Sequence, residues 1–223
     1  MTAQEAVITE QVKNKKTKDR ITETALRLFA ANGFSGTSMQ DIAAELGITK
    51  AALYKHFSGK QEIFDSIICR MQEKDYENAH SCGVPEGTIE EMSDSYASVS
   101  PESIIVFSKE MFRYWTEEEF PSLFRKMLTL EQYSSAEMRE LYCQYISSGP
   151  LEYVRDMFFS VYSDADSAKA AALEYYGPLF LLYSIYDSSE DKPAVTAAAD
   201  RHIDSFFDRN KKSKGAERKQ KEL

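Results

Sequence analysis

Within the eight residues Lys50-Ala51-Ala52-Leu53-Tyr54-Lys55-His56-Phe57 the chain gathers two ammonium groups, a phenol and an imidazole. Wound as a helix at about 100° per residue, Lys50, Tyr54, Ala51 and Lys55 share one arc of roughly 140°, while Leu53 and Phe57 turn to the other side as anchors. A cationic, aromatic arc of this kind suits the major groove of duplex DNA. There a lysine donates to guanine O6 or N7, and small or aromatic side chains meet the thymine methyl. Ala51 and Ala52 contribute by being small, which lets the backbone approach the base edges. Tyr54, His56 and Lys60 put hydroxyl, imidazole and ammonium donors within reach of phosphate oxygens, contacts that fix register without reading sequence. The bland alternative is an ordinary solvated face on a short helix.

No competing chemistry is written in the chain. His56, His80 and His202 are the only histidines and share no metal-ligand spacing; no glycine-rich phosphate loop or nucleophile elbow is present. Catalytic residues, metals and cofactors are therefore not expected, and the chain is not read as an enzyme. Cys69, Cys82 and Cys143 are odd in number, far apart and outside any redox motif, which reads as reduced thiols.

The cationic arc has to be positioned by its neighbours. Thr17 can cap a helix that buries Ile21, Ala25, Leu28 and Phe29 and stops at Asn32-Gly33. Ser38 with Asp41 makes a capping-box start for a short helix burying Ile42, Ala43 and Leu46, ended by Gly47; Thr49 then caps the helix that carries the arc through Phe57. Two short helices around a glycine-containing turn are a helix-turn-helix signature. Ser58 with Gln61 forms a further capping box, opening a longer helix with Ile63, Phe64, Ile67, Ile68 and Met71 inside. Beyond a loop at Ser81 to Gly87, helix starts fall at Ser100-Pro101, Thr116 with Glu119, Ser134 with Glu137, Asp164 and Pro193. Gly149-Pro150 splits one long stretch, and Gly177-Pro178 should kink another. Alternating strand patterns and internal repeats are missing, so the class is all-α.

Charge is partitioned. Residues 1–60 carry nine Lys+Arg and six Asp+Glu, residues 61–210 carry twelve against 28, and residues 211–223 carry six against two. An acidic body with a basic head is what a protein needs when one segment must approach phosphate and the rest must not adhere to it. Lys13, Lys15, Lys16 and Lys18 would lie on a flexible arm over residues 1–16, either reaching phosphate or the minor groove or simply solvated. The basic tail at 211–223 has no apolar face and is expected to be disordered. With 43% hydrophobic residues over 223 positions, a core can form without disulfide or metal staples. Neither a membrane-length apolar run nor an N-terminal apolar signal is present, which leads to the expectation of a cytoplasmic protein that does not enter a membrane.

The run Gly33-Phe34, Gly36-Thr37-Ser38-Met39-Gln40-Asp41-Ile42-Ala43 through Gly47-Ile48-Thr49-Lys50-Ala51-Ala52-Leu53-Tyr54-Lys55-His56-Phe57, then Lys60 and Ile63-Phe64, resembles the TetR family of bacterial transcriptional regulators. The resemblance covers roughly residues 17 to 65. It implies a three-helix DNA-binding head over 17–62, joined by a connecting helix to a larger helical effector-binding and dimerisation domain over 63–210, about nine helices in all. It further implies that Gln40, Lys50, Ala51 and Ala52 face bases, and that Thr37, Ser38, Tyr54, Lys55, His56 and Lys60 face phosphates. A homodimer would set two such heads in successive major grooves of a palindromic double-stranded operator, as a repressor released by a small-molecule effector. The alternative is a DNA-binding regulator whose body docks a protein partner instead.

The body matches no motif. Twelve of its chain's thirteen tyrosines follow residue 61, and Met111 to Met127 adds Phe112, Trp115, Phe120 and Phe124. Aromatic residues at helical spacing are more often core than pocket. If a cavity forms, Phe112, Trp115, Met127, Tyr142, Tyr145, Phe158, Tyr162 and Tyr176 are the candidates for its wall, suiting a hydrophobic or aromatic effector. By the same resemblance the last two helices pair with their copies in the dimer, through Leu173, Tyr176, Leu179, Phe180, Tyr183, Val195, Ile203, Phe206 and Phe207.

Overall fold

Ten helices and no strand are found among the described residues of the computed structural model, which covers the backbone of residues 3–81, 101–162 and 164–221 and the side chains of 14–78, 102–159 and 164–210. In order they are α1 (Ala3–Asn32), α2 (Met39–Glu45), α3 (Lys50–Tyr54), α4 (Lys60–Ser81), α5 (Pro101–Thr116), α6 (Glu119–Glu131), α7 (Ala136–Tyr145), α8 (Ser148–Tyr162), α9 (Ala165–Ser188) and α10 (Lys192–Lys221). None of them, among the described residues, is long and apolar enough to cross a membrane.

Several boundaries follow local chemistry. Ser38 and Asp41 form the complete capping box, with the Ser38 amide donating to Asp41 Oδ2 at 2.8 Å and the Asp41 amide to Ser38 Oγ at 3.2 Å. The Ser38 hydroxyl, donating to Asp41 Oδ2 at 2.7 Å, and after it the Ser38 amide hold the Asp41 carboxyl below its ordinary pKa. Thr49 accepts from the Ala52 amide at 3.1 Å, and Asp164 accepts from Ser167 at 2.9 Å. Other starts differ from expectation. Thr17 lies inside α1, because no glycine or proline between Ala3 and Asn32 interrupts the helix, so the segment read as an arm is its first half. The partner of Ser58 is Glu62 rather than Gln61, through its amide at 2.6 Å and hydroxyl at 2.7 Å, while Gln61 turns to Asp65. Helix α3 ends at Tyr54, short of Phe57, with Lys55 as its cap. At the far end α10 runs on to Lys221 through a segment rich in strong helix formers. Most of the expected Ser81 to Gly87 loop, the Ser100 start and the side chains of Lys13, His80 and Tyr162 lie outside the described residues.

The chain forms two compact units, residues 1–78 with 123–141 and residues 79–122 with 142–223. The first unit thus extends past the head boundary expected at residue 62, because α4 supplies its core. Ile21, Ala25, Leu26 and Phe29 of α1 are buried with Ile42, Ala43, Leu53, Phe57, Ile63, Phe64, Ile67 and Met71. Leu26 takes the inner position expected of Leu28, which is only half-buried. Phe34 meets Phe29 and Phe64 edge-on at 5.2 and 5.4 Å.

Gly33 (φ 78°) and Gly47 (φ 67°) end α1 and α2 in the left-handed region. Their surroundings differ. A Cβ at Gly47 meets nothing within 4 Å, whereas one at Gly33 falls 2.6 Å from Glu131 Oε1. Gly47→Ala is expected to cost only the left-handed penalty, about 1–2 kcal/mol, and Gly33→Ala clearly more, as read by urea unfolding of the two variants. Equal losses would contradict the crowding.

In the second unit, α5 and the residue just after it are tied to α10 by three antiparallel rungs: Lys109 to Asp204 at 2.7 Å, Arg113 to Asp200 at 2.6 Å, and Thr196 to Glu117 at 3.1 Å. Spacing of four on both helices makes the rungs possible. Helix α9 runs unbroken through Pro178, which has no amide to give Glu174, and next to that gap His202 Nε2 lies 2.8 Å from the Tyr175 carbonyl oxygen. Phe158 stacks on Phe206 at 5.3 Å, with Tyr175 edge-on to Phe206 at 5.2 Å.

Candidate nucleic-acid interface and effector cavity

Leu53 and Phe57 sink α3 into the first unit, and the opposite side of the helix is left in solvent: Lys50, Ala51 and Lys55 are exposed, Tyr54 is 47% exposed, and Ala52 is half-buried. The Lys50 ammonium lies 5.9 Å from the Tyr54 ring centre, a contact that keeps the cation on the surface without neutralising it. Gln40 and Ser38 are exposed at the start of α2, with Ser38 engaged by Asp41. His56 is half-buried, its Nδ1 2.9 Å from Asn14 Oδ1. Lys15 and Lys16 are exposed, whereas Lys18 folds over the Phe57 ring at 5.0 Å.

Two residues expected at phosphates do other work. Thr37 is only 2% exposed, and its hydroxyl donates to the Gly33 carbonyl at 2.9 Å and to Leu28 at 3.3 Å. A hydroxyl spent inside the turn has no lone access to a phosphate. The Lys60 ammonium donates to the carbonyls of Phe34 and of Thr37, the latter at 2.8 Å, and sits 4.3 Å above the Phe34 ring. Both side chains shape the turn that precedes α2. A third contributor was invisible in the sequence: Glu131, buried at the end of α6, accepts from the Phe34 amide at 2.8 Å across 97 residues.

The second unit holds a cavity of about 120 Å³. Of the residues singled out in the sequence, Phe112, Trp115, Tyr145 and Tyr176 line it, together with Ser108, Met111, Tyr153, Met157, Tyr175 and Tyr183. Met127 and Tyr142 do not line it, and Phe158 is instead consumed by its stack on Phe206. No lining residue among those described carries a formal charge. The Tyr176 hydroxyl donates to the Ile146 carbonyl at 2.7 Å, and burial pushes the Tyr175 phenol well above its usual range, so it stays neutral.

Of the apolar residues expected at a dimer contact, Leu173 and Phe180 are exposed, at 61% and 40%. Leu179, Tyr183, Val195, Ile203, Phe206 and Phe207 are buried within the unit, and Tyr176 with them, because they face its own core and cavity. Leu181 and Ile185, not singled out in the sequence, extend the exposed stripe of α9.

The sequence profile of bacterial regulatory proteins of the tetR family matches residues 21–67, the stretch that builds α2, α3 and their supports. Residues 21–67 thus carry the TetR-family helix-turn-helix segment. Within that TetR-family stretch the chain is 50% identical over 46 residues to the uncharacterized HTH-type transcriptional regulator YerO of Bacillus subtilis, covering 21% of this chain and 16% of YerO. It is 41% identical over 51 residues to the biofilm operon icaADBC negative transcriptional regulator IcaR of Staphylococcus aureus, covering 23% of this chain and 27% of IcaR. The likeness thus spans under a third of either relative. At the level of fold it is far wider: a solved complex of SmeT with triclosan superposes with a TM-score of 0.59 at 15% identity, over 86% of this chain and 90% of that one. The likeness of fold therefore extends across the body, where sequence identity has faded.

Proposed function

We propose that this protein is a sequence-specific DNA-binding transcriptional regulator, a cytoplasmic homodimeric repressor released from a palindromic operator by a small, uncharged, hydrophobic or aromatic effector. The observation that carries the reading is the solvent-facing arc of α3, with Lys50, Ala51, Tyr54 and Lys55 outward over the Leu53 and Phe57 anchors. Lys50, Ala51, Ala52 and Gln40 would face bases; Tyr54, Lys55, His56 and Ser38 would face phosphates.

The exposed stripe of Leu173, Phe180, Leu181 and Ile185 suits pairing with a second copy, whose own head would reach the next groove. In the cavity, burying a charge beside a wholly neutral wall would be far too costly, whereas a neutral ring can stack on Trp115 and Tyr145. IcaR is named a negative regulator and SmeT is solved with triclosan, which supports a repressor with a small-molecule ligand. Mechanistically the two ligands would compete through a population shift, with a coupling typically of about 1–3 kcal/mol.

The test is a titration of the full chain on a palindrome from its own promoter region and on random duplex, across a range of salt, with and without indole as a neutral aromatic probe. Preference for the palindrome, weakened by indole, is the expected result. Equal, weak binding to both duplexes would overturn the sequence-specific reading.

A further inference from the structure

We propose that Glu131 is the positioning residue through which α6 sets the turn that orients the helix-turn-helix, an inference that rests on the DNA-binding reading above. Within itself the turn from Gly33 to Ser38 is held only by Thr37, whose amide donates to the Phe34 carbonyl at 3.4 Å and whose hydroxyl donates to the Gly33 carbonyl at 2.9 Å, and it carries Ser38, the cap of α2. It is gripped twice. Lys60, at the start of α4, holds the carbonyls of Phe34 and Thr37 and covers the Phe34 ring. From the other side the buried carboxylate of Glu131 takes the Phe34 amide at 2.8 Å, with Gly33 so close that only a missing side chain fits.

The Glu131 end of α6 is itself fastened, since its carbonyl accepts from the Ser134 amide and hydroxyl, both at 2.8 Å. Helix α6 begins at Glu119, four residues after the cavity residue Trp115. The chain thus runs on from the cavity wall into a single helix whose Glu131 end lies on the turn that aims α2 and α3. A shift of α6 either carries the Phe34 amide with it or strands a buried donor, and stranding is costly enough to favour two discrete arrangements. The acceptor, not the negative charge, is what this role requires.

Trp115 is the chain's single tryptophan, so its emission reports on the cavity while DNA binds elsewhere. Wild type, Glu131→Gln and Glu131→Met are titrated with the operator duplex and with random duplex. Operator is expected to change Trp115 emission in the wild type, and Gln, which keeps an oxygen acceptor, is expected to retain both affinity and signal. Met fills the same space without an acceptor. It should bind operator about 5- to 150-fold more weakly, bind random duplex as before, and lose the emission change at saturating operator.

A Met variant with unaltered operator affinity and signal would overturn the proposal, as would a Gln variant as impaired as Met. Operator preference absent from the wild type would sink the regulatory reading, and this one with it. Should Met fail to fold, hydrogen exchange at the Phe34 amide of the wild type decides instead: protection that rises on operator supports the grip, and unchanged protection refutes it.

Discussion

A dimer carrying Lys50→Ala in both heads is expected to lose about 2–6 kcal/mol of operator affinity, roughly 30-fold to 25,000-fold, because each lost base contact is worth about 1–3 kcal/mol and a symmetric pair loses it twice. Lys50 is exposed, unpaired by any carboxylate among the described residues, and held near the Tyr54 ring, so little of its cost should come from misfolding. Binding to random duplex should change far less. Lys55→Ala gives the contrasting behaviour. A phosphate contact weakens all sequences alike and takes about 0.9 from the salt slope per head, hence about 1.8 per dimer. Fluorescence anisotropy on both duplexes at several salt concentrations separates the two cases. If Lys50→Ala weakened operator and random duplex equally, the assignment of Lys50 to a base would be wrong.

Many helix ends were legible because their determinants are local. Ser38 finds Asp41, Thr49 finds Ala52 and Asp164 finds Ser167, each three residues on, and glycine marks both left-handed ends. Cap chemistry of that range can be read from spacing alone. The exposure of Lys50, Tyr54 and Lys55 follows from the same periodicity, since burying Leu53 and Phe57 leaves the opposite arc no choice.

What escaped was whatever depended on how the chain folds back on itself. The inward turn of the Thr37 hydroxyl is fixed by carbonyls of Leu28 and Gly33, and the capture of Lys60 by a turn more than twenty residues earlier. Glu131 has no signal in the sequence at all, since a lone glutamate at a helix end normally reads as solvated. Helix α9 illustrates a different limit. Ala172, Leu173, Tyr175, Tyr176, Leu179, Phe180, Leu181, Tyr183, Ile185 and Tyr186 put apolar groups around most of its circumference, so periodicity could not tell the face packed in its own unit from the face left outside.

That ambiguity makes Phe206 and Phe180 a decisive pair. Phe206 is 1% exposed, stacked on Phe158 at 5.3 Å and edge-on to Tyr175 and Phe207 at 5.2 and 5.5 Å. Phe206→Ala should therefore act as a core truncation, costing about 3–5 kcal/mol, a large share of the roughly 5–15 kcal/mol that holds a typical domain together. In a chain of this length that corresponds to a melting point lowered by about 6–20 °C, and Tyr175, left with a void beside it, should lose its fixed place in the cavity wall. Phe180→Asp tests the outer face. Its side chain is 40% exposed, so the substitution should leave the helical signal of the unit intact while placing a carboxylate in the middle of the stripe formed with Leu173, Leu181 and Ile185. Sedimentation is then expected to show a folded particle of half the dimer mass, which has lost its hold on a palindrome because one head alone engages one groove. The two substitutions should not exchange outcomes: a well-folded monomer from Phe206→Ala, or a melted chain from Phe180→Asp, would mean that the inner and outer faces of this helix pair have been assigned the wrong way round.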